Sequence, residues 1–180
     1  HGVDPNVAQA DGKTALHLAA ENERTSVCLL LLGKGANPLA LDDKGQTPLH
    51  AAALRGLTEV CRVMLTAGGA TPNVRSKTGM TPLHCAAKGH HPIICGMLLG
   101  LRADPNTAND EGDTPLHAVF EPDHRWQAPL TEAPSLLPTL KVLLRAGALP
   151  HPENGWGATP LHRVVRYFCW LGDDESEAVL

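Results

Sequence analysis

Five times along the chain the same four-residue pattern returns at nearly constant spacing. Thr14-Ala15-Leu16-His17 recurs as Thr47-Pro48-Leu49-His50, Thr81-Pro82-Leu83-His84, Thr114-Pro115-Leu116-His117 and Thr159-Pro160-Leu161-His162. The threonines stand 33, 34, 33 and 45 residues apart, and two residues before each lies a glycine: Gly12, Gly45, Gly79, Gly112 and Gly157. A second echo, Asp4-Pro5-Asn6, Asn37-Pro38, Pro72-Asn73 and Asp104-Pro105-Asn106, precedes the first four tetrads. A period of this length marks one supersecondary unit that cannot bury its own apolar face and is stacked on copies of itself.

The residues within one period say what that unit contains. Glycine supplies a positive φ at a tight turn, and Thr before Pro reads as a helix N-cap with Pro at the first helical position. The apolar stretches Val27–Leu32, Val60–Leu65 and Ile93–Leu99 suit second helices buried against their neighbours, and Gly35, Gly68 and Gly147 are placed to end such helices. Composition agrees. Hydrophobic residues make up 43% of the 180, but aromatics only 3%, which suits closely packed small-residue helices better than a β-sandwich.

This pattern resembles the ankyrin repeat, whose signature is a 33-residue period with Thr-Pro-Leu-His. The resemblance covers nearly the whole chain, because five copies keep phase. It implies an all-α solenoid in which each unit is a β-turn finger followed by two antiparallel helices. Residues 1–180 are then a single array: a tail of a preceding repeat at 1–8, and repeats at about 9–41, 42–75, 76–108, 109–153 and 154–180. The fourth carries an insertion near 121–137, and the fifth is cut off inside its second helix, so the array is expected to extend at both ends. The resemblance also implies that His17, His50, His84, His117 and His162 are structural, each bonded to the backbone of an adjoining turn.

The stretch from His84 to Cys95 holds three His and two Cys, side chains that zinc prefers. The repeat frame dissolves that reading. His84 is a tetrad residue, and Cys95 shares one second-helix position with Cys28 and Cys61, where free Cys acts as a small hydrophobe. Equivalent positions in stacked helices lie roughly 8–10 Å apart, too far for disulfides, which need Cα atoms within about 7 Å. Cys85 falls at an inner-helix packing position, and His90 and His91 are expected to be exposed in the turn between helices. No metal, cofactor or disulfide is therefore expected. No nucleophile elbow, phosphate-binding loop, dinucleotide glycine pattern or H-E-x-x-H occurs, and Cys169 has no evident base, so no enzyme activity or small-molecule substrate is expected.

A stack without a catalytic pocket presents a concave face built from finger tips and inner helices. The fingers place Asp11, Lys13, Asp43, Lys44, Gln46, Lys77, Thr78, Met80, Asp110, Glu111, Asp113 and Trp156 there. Glu21, Leu54, Arg55, Lys88, Glu121, Arg166 and Tyr167 follow from the inner helices. Leu54, Arg55, Met80, Lys88, Trp156 and Tyr167 combine aromatic, apolar and cationic groups as binding hot spots do, and they are the partner-binding candidates. Repeats two and three look locally basic and the fourth finger acidic, a polarity that would orient a partner. Trp126 and Trp170, each in an apparent insertion between paired helices, make an alternative edge site.

The expected function is protein recognition, as a scaffold or adaptor. Substrate recognition in an ankyrin-and-SOCS-box-like ubiquitin-ligase adaptor, or a regulatory or targeting module of a larger enzyme or channel, are the alternatives. The net charge of −4 lacks a basic run, so nucleic acid is not an expected partner. The apolar run around Leu29–Leu32 is too short for membrane insertion. An odd cysteine count without a secretory signal points to an intracellular (cytoplasmic or nuclear) setting.

Overall fold

The computed structural model describes residues 4–121 and 136–170, with side-chain surroundings described as far as residue 165. Among the described residues are nine helices and no strand. They are α1 (Ala15–Glu21), α2 (Thr25–Gly33), α3 (Pro48–Leu54), α4 (Thr58–Thr66), α5 (Pro82–Lys88), α6 (Pro92–Gly100), α7 (Pro115–Ala118), α8 (Leu136–Arg145) and α9 (Pro160–Trp170). The odd-numbered helices each open on a tetrad and stack on one another; α2, α4, α6 and α8 form a second layer behind them. The fold is an all-α ankyrin solenoid.

Each tetrad sets a helix start by the same chemistry. Thr81 is extended (φ −107°, ψ 164°), and Pro82 supplies the first helical residue without an N–H to orphan. The Thr81 hydroxyl accepts from the His84 N–H at 3.5 Å, while His84 Nδ1 accepts from the Thr81 N–H at 3.2 Å. This is a capping box with histidine in the position usually held by Glu or Gln. The tetrad leucines Leu16, Leu49 and Leu83 are wholly buried, and Leu116 nearly so, in one continuous core with Val60, Ile94, Leu98 and Leu143. Each such side chain contributes about 1.5–3 kcal/mol on burial. Between these leucines lie alanines (Ala19, Ala20, Ala52, Ala53, Ala86, Ala87), whose small size lets neighbouring inner helices approach closely.

The second ring nitrogen of each histidine holds the next repeat. His17 Nε2 donates to Gln46 O (3.0 Å), His50 to Met80 O (3.1 Å), His84 to Asp113 O (2.9 Å) and His117 to Ala158 O (3.0 Å). His162 makes the local bond to Thr159 but is exposed, because no further finger follows it among the described residues.

The fingers are joined as well. Asp43 donates its N–H to Asp11 O, Lys77 to Lys44 O, Asp110 to Thr78 O and Gly155 to Glu111 O, at 2.7–3.1 Å. That contact explains the glycine before each of the first four tetrads more fully than turn geometry does. Gly79 has φ +74°, and a Cβ there would meet Asp110 N at 2.9 Å and the Asp110 carboxylate at 2.5 Å. The Asn of the Asp-Pro-Asn echo makes a third line of ties. Asn73 Nδ2 donates to Arg102 O and its Oδ1 accepts from Asp104 N, and Asn106 does the same with Gly147 O and Leu149 N.

The irregular spacings have local causes. The helices α2, α4 and α6 start and end one or two residues outside the apolar stretches. The 34-residue spacing is absorbed after α4. Gly69 (φ +71°), not the expected Gly68, takes the left-handed position that Gly35 and Gly147 occupy in their repeats. The 45-residue spacing arises between Glu121 and α8, which packs on α6 and α7 as an ordinary second helix; residues 122–135, including Trp126, lie outside the described residues. In the last repeat, α9 continues through Tyr167 to Trp170. Trp170 therefore ends a helix instead of sitting in an expanded junction, and the second helix expected near Glu175 lies outside the described residues.

At the helix end of repeat three, Arg102 stands at φ +66° where Gly35, Gly69 and Gly147 stand in the other repeats. A left-handed conformation costs an L-residue roughly 1–2 kcal/mol, offset in part by the greater unfolded-state entropy of glycine. Arg102→Gly should therefore raise stability by about 0.5–1 kcal/mol in urea melts; a fall of that size would show that the Arg102 side chain contributes more than its backbone costs.

The tetrad histidines make a second prediction. Burial lowers His84 from 6.5 to about 4, because an imidazolium would present a proton at Nδ1 to the Thr81 N–H. Its folded value lies below its unfolded one, so between these values the unfolded chain binds more protons. Stability is then full above pH 6.5 and falls as pH drops toward 4. His84→Ala should cost roughly 1–3 kcal/mol at neutral pH and lose less than the wild type on acidification, whereas His162→Ala should change the neutral melt far less. Equal costs for the two variants would remove the inter-repeat bond as the cause.

Candidate functional site

A groove lies on the inner-helix side of repeats one to three. It is lined by Glu21, Gln46, His50, Ala51, Leu54, Arg55 and Cys85, and its volume is about 140 Å³. Leu54 is the last residue of α3 and Arg55 caps it. The short helix ends there because Gly56 turns the chain with φ +73°, which leaves both side chains half-buried at the groove. Gln46 reaches it from the second finger, Glu21 from the end of α1, and Cys85 from its floor on α5.

The charges around this face are largely committed to each other. Lys13 pairs with Glu21 (2.8 Å), Lys88 with Glu121 (3.0 Å), Arg75 with Asp110 (3.4 Å) and Arg163 with Asp113 (2.7 Å). The expected contrast between basic repeats two and three and an acidic fourth finger is therefore reduced, since Arg75 bridges to Asp110 of that finger and Lys88 is neutralised by Glu121. Asp113 is corrected outright. It is buried, not presented to solvent, and its carboxylate takes bonds from Asn154 Nδ2 (2.7 Å) and Arg163.

Of the six partner-binding candidates, Leu54 and Arg55 come together at the groove. Met80 is half-buried, and its sulfur accepts from Asn109 Nδ2 at 3.3 Å. Lys88 is held by Glu121. Trp156 projects from the fifth finger with 68% of its surface exposed. Tyr167 lies on α9 beyond the residues whose side chains are described. Of the alternative pair, Trp126 lies outside the described residues, and Trp170 lies on α9 beyond the residues whose side chains are described.

His90 and His91 need correction too. His90 is buried and donates from Nε2 to Val119 O (2.8 Å), while the half-buried His91 bonds Leu54 O across the repeat boundary (3.1 Å). Both are tied into the neighbouring repeats because a positive φ at His90 (+56°) folds the turn back onto the stack. Burial lowers the His91 pKa, in keeping with a neutral ring. Their adjacency gave no sign of these opposite directions. The groove-lining role of Cys85 was also missed, because its repeat position reads simply as core.

Among the described residues no group of three or more His, Cys, Asp or Glu is placed to hold a metal ion, and no helix is long and apolar enough to cross a membrane. Cys28, Cys61, Cys85 and Cys95 are buried free thiols. Burial pushes Cys61, Cys85 and Cys95 up to about 12 and raises Cys28 as well. The reactive species is the thiolate. These four should stay unalkylated by iodoacetamide at mildly alkaline pH in the native state and react fully in urea, as read by peptide mass spectrometry. Rapid native labelling of Cys61 or Cys95 would mean that the second-layer helices open.

A family model described as ankyrin repeats (3 copies) matches residues 1–76, and one described as ankyrin repeats (many copies) matches residues 64–118. A search of curated proteins found no match. The two family matches run together over residues 1–118, and the capping boxes, stacked helix pairs and finger ladder continue past them: the chain belongs to the ankyrin repeat family.

Proposed function

We propose that this chain is a non-catalytic recognition module whose partner protein lies across the concave side of repeats two to five, taken as 42–75, 76–108, 109–153 and 154–180. Ankyrin repeats are in general protein-interaction modules. The observation that carries the finer reading is the groove at the end of α3, where an apolar side chain, Leu54, and a guanidinium, Arg55, stand side by side. Among the described residues that guanidinium has no ion pair, whereas Lys13, Lys88, Arg75 and Arg163 elsewhere on the array are each paired. Trp156 is the large exposed anchor at the far end of the same side, and Met80, Lys88 and Tyr167 complete the contact set. Service as the recognition part of a ubiquitin-ligase adaptor, or as a targeting module in a larger enzyme or channel, would use this same surface.

The test compares proteins captured from cell extract by the wild type, by Arg55→Glu with Tyr167→Ala, and by Trp126→Ala, with melts to verify folding. Specific partners should be lost at least tenfold from the double variant and retained by Trp126→Ala. Retention by the double variant with loss from Trp126→Ala would move the site to the edge carrying Trp126 and Trp170.

A further inference from the structure

We infer that the groove at the end of α3 takes an extended, acidic segment of the partner protein, in which a carboxylate lies within two residues of an aliphatic side chain. This deepens the concave-face reading and rests on it.

Three features of the groove specify that chemistry. Its volume, about 140 Å³, is close to the ~150 Å³ that holds a single benzene molecule, so it has room for one branched aliphatic side chain. Leu54 and Ala51 give that side chain an apolar wall. Next to them the Arg55 guanidinium offers a planar fork of donors with no partner among the described residues, the geometry that matches a carboxylate. The Gln46 carboxamide, also without a hydrogen bond among the described residues, carries both a donor and an acceptor, as needed to pair with the amide of an extended backbone.

The remaining charges of the groove and its rim nearly cancel, which leaves Arg55 as the group that calls for an anion. Glu21, the only carboxylate in the lining, is already held by Lys13 at 2.8 Å. On the adjoining fingers, Lys44 and Lys77 are exposed and enter no ion pair among the described residues, and their backbones lie side by side through the Lys77 N–H to Lys44 O bond (2.9 Å). The opposing acids are Asp43, the buried Asp42, which accepts from the Lys44 and Gln46 N–H groups, and Asp11 on the first finger. Lys13, Lys44, Arg55 and Lys77 thus face Asp11, Glu21, Asp42 and Asp43, so the overall charge cancels; what orients an acidic segment is the one guanidinium beside Leu54 that has no ion pair among the described residues. Phosphate would satisfy the guanidinium as well, but a nucleic-acid strand has no aliphatic side chain for the apolar wall and no backbone amide for Gln46.

The test is selection of random twelve-residue displayed peptides on the wild type, Arg55→Glu, Arg55→Gln and Leu54→Ala, each verified by circular dichroism as folded. The wild type should enrich sequences with Asp or Glu within two positions of Leu, Ile or Val. A synthetic peptide of the enriched sequence should bind Arg55→Gln roughly tenfold to a hundredfold more weakly, the range for one charge-assisted hydrogen bond. Arg55→Glu should select Lys or Arg at the same place. Enriched peptides that show no charge preference, bind Arg55→Gln unchanged and weaken on Leu54→Ala would overturn the acidic segment and leave the concave reading standing. Peptides indifferent to Leu54 and Arg55 alike would overturn both, as would binding of a uridine oligonucleotide that is lost in Arg55→Gln while no peptide enriches.

Discussion

Each repeat is held to the next by a buried imidazole that spends its two nitrogens on backbone from two different units. Nδ1 closes the capping box of its own helix, and Nε2 reaches a finger carbonyl about thirty residues ahead, or forty-one where the insertion intervenes. Because the Thr N–H can only donate and the carbonyl can only accept, the ring is fixed as one neutral tautomer. Local helix initiation and long-range stacking are thereby the same interaction. The ring that defines the start of one helix is therefore buried and held fast where the next repeat supplies a carbonyl. The spacing of the tetrads must then be nearly constant in three dimensions, whatever the chain does in between.

That constancy shapes the recognition surface. Side chains at one repeat position line up along the stack, so charges of opposite sign on successive units meet at bonding distance: Lys88 finds Glu121, and Arg75 finds Asp110. Surface pairs of this kind contribute little to stability, typically 0–1 kcal/mol, but they decide what is left for a partner. Where the row holds Leu54 in place of a charge, its neighbour Arg55 has nothing to pair with.

The fold could be read from the sequence because its determinants are short-range and repeated. Thr-Pro-Leu-His states a cap, a helix start, a core residue and a bridge in four letters, and five copies in phase leave little freedom. What could not be read depends on which way a side chain turns. Nothing in the sequence tells that Asp113 folds inward to Asn154 and Arg163 while Asp110 stays at the surface. His90 and His91 look like a solvated pair, yet one bonds forward to Val119 and the other backward to Leu54. The extra residue of repeat two was visible as a 34-residue spacing, but choosing between Gly68 and Gly69 required the backbone angles. Of the candidate site, Leu54 and Arg55 were placed from repeat position alone, whereas Gln46 and Cys85 became its neighbours only in three dimensions.

The asparagine ties that brace the loops are not evenly distributed. Asn6, Asn73 and Asn106 each clasp the following loop, but the equivalent residue in the loop after α2 is Leu39, which has no amide to offer and is 47% exposed. The loop it would have clasped is the one lengthened at Gly68. Between repeats one and two there remain the His17 bond, the finger bond from Asp43 to Asp11 and helix packing, whereas the later junctions add asparagine clasps, turn histidines or ion pairs. Among the described residues that joint is thus the one with the fewest polar ties to resist bending. The groove straddles it, with Glu21 on one side and Leu54 and Arg55 on the other, so flexing there changes the width of the groove while repeats three and four keep their shape.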